Sequence, residues 1–141
     1  MLGVGLNNPE YLSNTKVVSI LGGMSYPLQN KLLSQVVDIL VATPGRLIDH
    51  IQRGRIDFSR LEMLVLDEAD RMLDMGFIDD VEAIASRTPD TRQTLLFSAT
   101  LDSSIDKIAL RLLKSPKRIQ VAAQHAKLDN IEQKLHYVDD L

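Results

Sequence analysis

The chain of 141 residues contains no cysteine, so disulfides and thiolate metal sites are excluded, which fits a reducing cytosol. No apolar run is long enough to cross a bilayer, and there is no internal repeat or low-complexity tract. The opening Met1-Leu2-Gly3-Val4-Gly5-Leu6 lacks the positive n-region of a signal peptide. A cytoplasmic location is the expectation. None of the glycines is followed by lysine, so the phosphate-cradling loop G-x-x-x-x-G-K-[ST] is absent from these residues. The three histidines (His50, His125, His136) show no metal-ligand spacing. Positive charge is also short. A net charge of −3 argues against nucleic-acid binding by bulk electrostatics, so any such contact must be local. Arg46, Arg53, Arg55 and Arg60, set against Asp49 and Asp57, form the one basic region; on charge alone they read as a solvated helix end.

What is present is an alternation of apolar runs and helical stretches. Strands are predicted at residues 17–21, 38–42, 62–67, 94–97 and 118–121. The first ends at Gly22-Gly23, which reads as a tight turn. Between the strands, a helix over 26–35 carries Leu28, Leu32 and Leu33 at helical spacing. Thr43 reads as an N-cap with Pro44 at the first position of a helix running to about residue 52, and Gly54 as its stop. A helix follows over 78–86, and another begins at Asp102 or Ser103 with Ile105, Ile108 and Leu112 in its apolar stripe and Pro116 beyond its end. This order predicts an α/β fold: a parallel sheet covered by helices on both faces. Residues 122–131 read as a linker, and residues 133–138 as a further strand that stops short. Both ends look cut.

Four segments end predicted strands and so fall along one edge of such a sheet, where open α/β proteins bind ligands. Asp67-Glu68-Ala69-Asp70 follows Met63-Leu64-Val65-Leu66. Adjacent carboxylates past a strand end can hold a divalent cation and orient a water, or can simply complement the dipole of the next turn. Thr43-Pro44-Gly45-Arg46 offers unpaired N–H groups and an arginine to a phosphate, or is an ordinary cap. Ser98-Ala99-Thr100 brings two hydroxyls near the tetrad if the two strands are neighbours, positioned to hydrogen-bond Asp70, or is a polar turn. Gly22-Gly23 alone needs no function.

Together, in this order and spacing, the segments resemble the DEAD-box family of ATP-dependent RNA helicases. The stretch Val-Leu-Asp-Glu-Ala-Asp-Arg-Met-Leu-Asp-Met-Gly-Phe at residues 65–77 is similar to that family throughout. The resemblance implies an amino-terminal RecA-like domain of the P-loop NTPase type over residues 1–121, missing its first strands and P-loop. It further implies an interdomain linker over 122–131 and the first strand of a second RecA-like domain over 132–141. By the same resemblance, Asp67 holds the magnesium of Mg-ATP through water, and Glu68 activates the hydrolytic water. Asp67, Glu68 and Asp70 bind cofactor. Asp70 couples nucleotide state to RNA grip with Ser98 and Thr100, and Gly22, Gly23, Thr43, Pro44, Gly45 and Arg46 contact the RNA sugar-phosphate backbone. Asp70, where a related group carries histidine, favours the DEAD-box group proper.

The family's P-loop, its adenine-reading segment, its first RNA-binding motif and the arginines of its second domain are not among these residues. The segment from His50 to Arg55 echoes the family's arginine-rich motif, but it precedes the tetrad and is explained by a helix end with a glycine stop. Loss of the P-loop strand predicts that residues 94–97 have no strand neighbour, and that Mg-ATP binds very weakly. Three readings follow: a helicase fragment inactive alone, which includes the product of a truncated gene; a non-catalytic module binding RNA or a helicase partner; and a metal-dependent hydrolase built on Asp67, Glu68 and Asp70.

Overall fold

The computed structural model describes residues 14–121. The linker over 122–131 and the strand within 132–141 lie outside the described residues. In chain order the elements are β1 (Val17–Ile20), α1 (Tyr26–Leu33), β2 (Ile39–Ala42), α2 (Pro44–Gln52), β3 (Met63–Leu66), α3 (Ala69–Asp74), α4 (Ile78–Ala85), β4 (Gln93–Leu96) and α5 (Ser103–Leu112).

Among the described residues all strand pairing is parallel, as the alternation of strands and helices requires. β1 pairs with β2 from Val17↔Ile39 to Ile20↔Ala42, and β3 with β4 from Met63↔Gln93 to Leu66↔Leu96. The single sheet expected from the sequence is present as two two-stranded sheets, with no ladder between β2 and β3. β4 therefore does have a neighbour, contrary to the expectation for residues 94–97: β3 covers one of its edges. The short strand expected at 118–121 does not form; Ile119 and Val121 are exposed there. A strand needs a second backbone to satisfy its N–H and C=O groups, and none pairs with these residues.

Two apolar cores hold the sheets to their helices. Leu64 and Leu66 of β3 pack with Ala69, with Val81 and Ala85 of α4, and with Ile105, Ile108 and Leu112 of α5. Val18 and Ile20 of β1 pack with Leu47 and Ile51 of α2 and with Ile84. α4 thus faces both cores: Val81 and Ala85, four residues apart, meet one, and Ile84, about 100° from Ala85 around the helix, reaches the other. β3 is buried along nearly its whole length, whereas β1 alternates exposed and buried, so only one of its faces is covered.

Helix ends follow local chemistry. Thr43 is the N-cap of α2 in extended conformation with Pro44 behind it, although its hydroxyl makes no capping bond. At the other end Gly54 takes φ +65°, its N–H bonding Ile51 O while Arg55 N–H bonds His50 O. This is the paired closure that a left-handed glycine permits. Asp102 caps α5 through Ser104 N–H at 2.9 Å and Ile105 N–H at 3.0 Å. Helix α3 was not expected, because its N-cap is Glu68 rather than a serine, threonine or aspartate.

Candidate functional site

β3 delivers the acidic tetrad to its carboxyl end, and the tetrad straddles the start of α3. The sharp turn between strand and helix is made by Glu68 in left-handed conformation, φ 57° and ψ 48°. A non-glycine residue there costs about 1–3 kcal/mol, and such strain concentrates at functional positions. The Asp67 carboxylate accepts the Glu68 N–H at 2.9 Å, and the Glu68 side chain stands in solvent with Arg71 at 3.8 Å. An exposed pair at that separation contributes little to stability.

Asp70 and Thr100 are joined: the threonine hydroxyl donates to the carboxylate at 3.3 Å across 30 residues. The two strands are neighbours, as that contact needs, and Phe97 N–H to Leu66 O and Ala69 N–H to Phe97 O extend the pairing past their ends. Burial works to raise the Asp70 carboxyl. The hydrogen bonds from the Arg71 N–H and from Thr100 outweigh it and hold the group below the usual carboxylate range. Ser98 does not join this contact. Its hydroxyl oxygen is buried without a hydrogen-bond partner, so the bond to Asp70 rests on Thr100 alone.

The Thr43 segment meets the tetrad across a cavity of about 230 Å³, mostly apolar in lining. Thr43, Pro44 and Leu47 border one side and Val65, Asp67 and Glu68 the other. The Gly22-Gly23 turn lies beside the Thr43 segment on its far side. Thr43 N–H bonds Ile20 O at 3.3 Å, and Gly23 adopts φ +84°, a conformation only glycine takes freely. Arg46 is less free than its sequence context implied. Its Nη1 donates to Met24 O at 3.0 Å and to Gln29 Oε1 at 3.2 Å, and its guanidinium lies over the Tyr26 ring at 4.3 Å. Arg53 takes a similar place at 4.7 Å and pairs with Asp49 at 3.1 Å, so the basic region is in part an organised cluster. The Asp49 carboxyl is held below its ordinary value, by the Tyr26 hydroxyl first and by Arg53 next.

Gln29 and His50 were not foreseen as site residues. Both are fully buried, and Gln29 is the sole buried residue of α1, whose Leu28 is instead exposed. The available signal was weak: His50 stands four residues after Arg46, on the same helix face.

Among the described residues no group of three or more His, Cys, Asp or Glu side chains forms a metal cage. Magnesium commonly takes one or two carboxylates and fills its remaining positions with phosphate oxygens and water. The oxygen donors of Asp67 suit that role.

A family model described as DEAD/DEAH box helicase matches residues 6–108. The ATP-dependent RNA helicase DeaD of Haemophilus influenzae is 41% identical over 92% of this chain and 21% of its own length. The protein of the same description from Mycobacterium tuberculosis is 47% identical over 87% of this chain and 22% of its own. The chain thus spans about a fifth of the length of these curated relatives. Among solved structures, the yeast DEAD-box splicing factor Prp28 superposes with a TM-score of 0.67 at 44% identity, over 72% of this chain and 24% of that one. A hypothetical ATP-dependent RNA helicase from Sulfolobus tokodaii gives 0.68 at 43% identity, over 74% of this chain and 31% of that one. With the tetrad at the end of β3 and Thr100 on Asp70, these matches make the chain a member of the DEAD/DEAH box helicase family, with an α/β fold of the DEAD-box RecA-like kind.

Proposed function

We propose that these residues are the part of an ATP-dependent RNA helicase that supplies the hydrolytic carboxylates and one RNA-gripping edge. The observation that carries this reading is the Asp70–Thr100 bond, which ties the tetrad to the turn after β4. Asp67 holds magnesium through water, and the ion when bound neutralises phosphate oxygens. Glu68, on its strained turn and open to solvent, orients the attacking water and accepts its proton. Asp70 and Thr100 transmit the state of that site to the RNA-facing turns. Gly22, Gly23, Thr43, Pro44, Gly45 and Arg46 face the RNA sugar-phosphate backbone, which positions RNA without reading its sequence. RNA and a second RecA-like domain are the partners, and the cytoplasm the location.

With no G-x-x-x-x-G-K-[ST] loop among them, these 141 residues alone bind Mg-ATP very weakly and do not turn it over. ATP binding and RNA-stimulated turnover, measured on the native protein and on this chain, test both statements. In the native protein Glu68→Gln keeps ATP binding and slows hydrolysis about a hundredfold or more, the scale of a lost general base. Equal loss of binding and hydrolysis would make Glu68 a structural or metal-binding group. RNA-stimulated turnover by the 141-residue chain that Glu68→Gln abolishes would overturn the second statement.

The same surface favours one further reading, a non-catalytic module that binds RNA or a helicase partner, because the RNA-facing turns are ordered here without any phosphate loop.

A further inference from the structure

The two turns assigned to RNA are joined by a buried polar junction. Gln29 Nε2 donates to Leu21 O at 2.8 Å, just before Gly22-Gly23. Arg46 Nη1 donates to Met24 O, just after them. Gln29 Oε1 accepts from Arg46 and lies 2.7 Å from His50 Nε2. Because the Gln29 amide nitrogen is committed to a carbonyl, its oxygen is the group facing His50. The histidine proton therefore sits on Nε2, and Nδ1 is bare. That Nδ1 is buried with no hydrogen-bond partner.

We propose that Gln29 and His50 are positioning residues that hold Arg46 and the Gly22-Gly23 turn as one phosphate-facing surface, and that a proton added to His50 dismantles it. The proposal rests on the RNA-contact reading above. A second proton on His50 can only go to Nδ1, which would place an unpaired charge in a site closed to water. Burial is the largest influence holding the imidazole below its ordinary value; Asp49 opposes it, and Arg46, Arg55 and Arg53 reinforce it. From α1 the group meets the Tyr26 ring, with centroids 5.6 Å apart, and the Gln29 amide. α4, packed against α2, presents the apolar Ile84. The Nε2–H donor survives protonation, so it is the buried charge's demand for solvent that draws His50 out of the junction; Gln29 Oε1 then loses the donor that orients it, and Arg46 is left with an acceptor no longer held in place.

The sign separates this from ordinary charge effects. Its folded value being lowered, His50 supports the surface above the ordinary imidazole value of about 6.5 and withdraws that support as pH falls below it. A protonated histidine elsewhere adds positive charge and tightens RNA binding.

The test measures binding of a labelled single-stranded RNA to the full chain by fluorescence anisotropy. Salt is held fixed while pH runs from about 8 to about 5.5, the range over which imidazole titrates. Wild-type affinity falls about tenfold on acidification, the scale of losing a hydrogen bond to a charged group. His50→Gln retains a donor without titrating, so it binds as wild type at the alkaline end and stays flat. His50→Leu binds weakly throughout. Wild-type binding that is flat or tighter in acid, or an undiminished slope in His50→Gln, overturns the proposal. An NMR titration of the same chain reads the junction without RNA: the amides of Gly23 and Arg46 move together with the His50 ring and cease to do so in His50→Gln. If RNA fails to bind at any pH, the RNA-contact reading fails, and this titration still decides the junction. Amides that move with the ring sustain it; amides indifferent to the ring overturn it.

Discussion

Two residues of the tetrad carry different physical signatures. Glu68 stands in a backbone conformation that favours glycine, and its side chain is open to solvent, so the fold bears a cost to aim it. Asp70 is the member bonded to a distant segment, and that partner is Thr100 rather than Ser98. Changing Ser98 and Thr100 together to alanine in the native protein should lower RNA unwinding while leaving ATP hydrolysis largely intact. Thr100→Ala alone should reproduce most of that effect, and Ser98→Ala little of it. Paired ATPase and unwinding assays check this; a parallel fall in both activities would contradict the coupling role. At this scale the tetrad was readable because its chemistry is contiguous. The Gln29–His50 contact was not: it spans 21 residues, and only the packing of α1 on α2 brings the pair together.

Among the elements, α2 was legible at both ends, because Thr43-Pro44 and Gly54 are local signals that act without the rest of the chain. α5 was legible for the same reason through Asp102. α3 was hidden by its left-handed cap, and the strand at 118–121 was misjudged because β-propensity says nothing about whether a neighbour is present. Leu28 had helical spacing and is nonetheless exposed, its place in the interior of α1 being taken by Gln29. α4 matters most to the architecture, since Ile84 reaches the core of the first sheet while Val81 and Ala85 reach that of the second. Ile84→Ala should therefore cost about 2–5 kcal/mol, the usual range for a buried isoleucine truncated to alanine. Chemical denaturation with probes on both sheets should show a shift at each. A loss confined to the β1–β2 core would mean that α4 does not couple the two.

For the whole molecule, parallel order and the gathering of the candidate site's turns at strand carboxyl ends followed from the alternation of strands and helices, while the split into two sheets did not. Whether β2 and β3 share a ladder depends on backbone register, which side-chain pattern leaves unspecified. With a net charge of −3, the proposed RNA affinity requires a local surface, and Arg46, hydrogen-bonded to Met24 O and to Gln29, lies beside the Gly22-Gly23 turn that the proposal assigns to it.

That makes RNA binding by this chain across a salt series, with wild type beside Arg46→Ala, the most direct test of the account. The account predicts affinity that falls as salt rises, with Arg46→Ala weaker throughout and of shallower slope by about one phosphate contact. Binding indifferent to both salt and Arg46→Ala would contradict it.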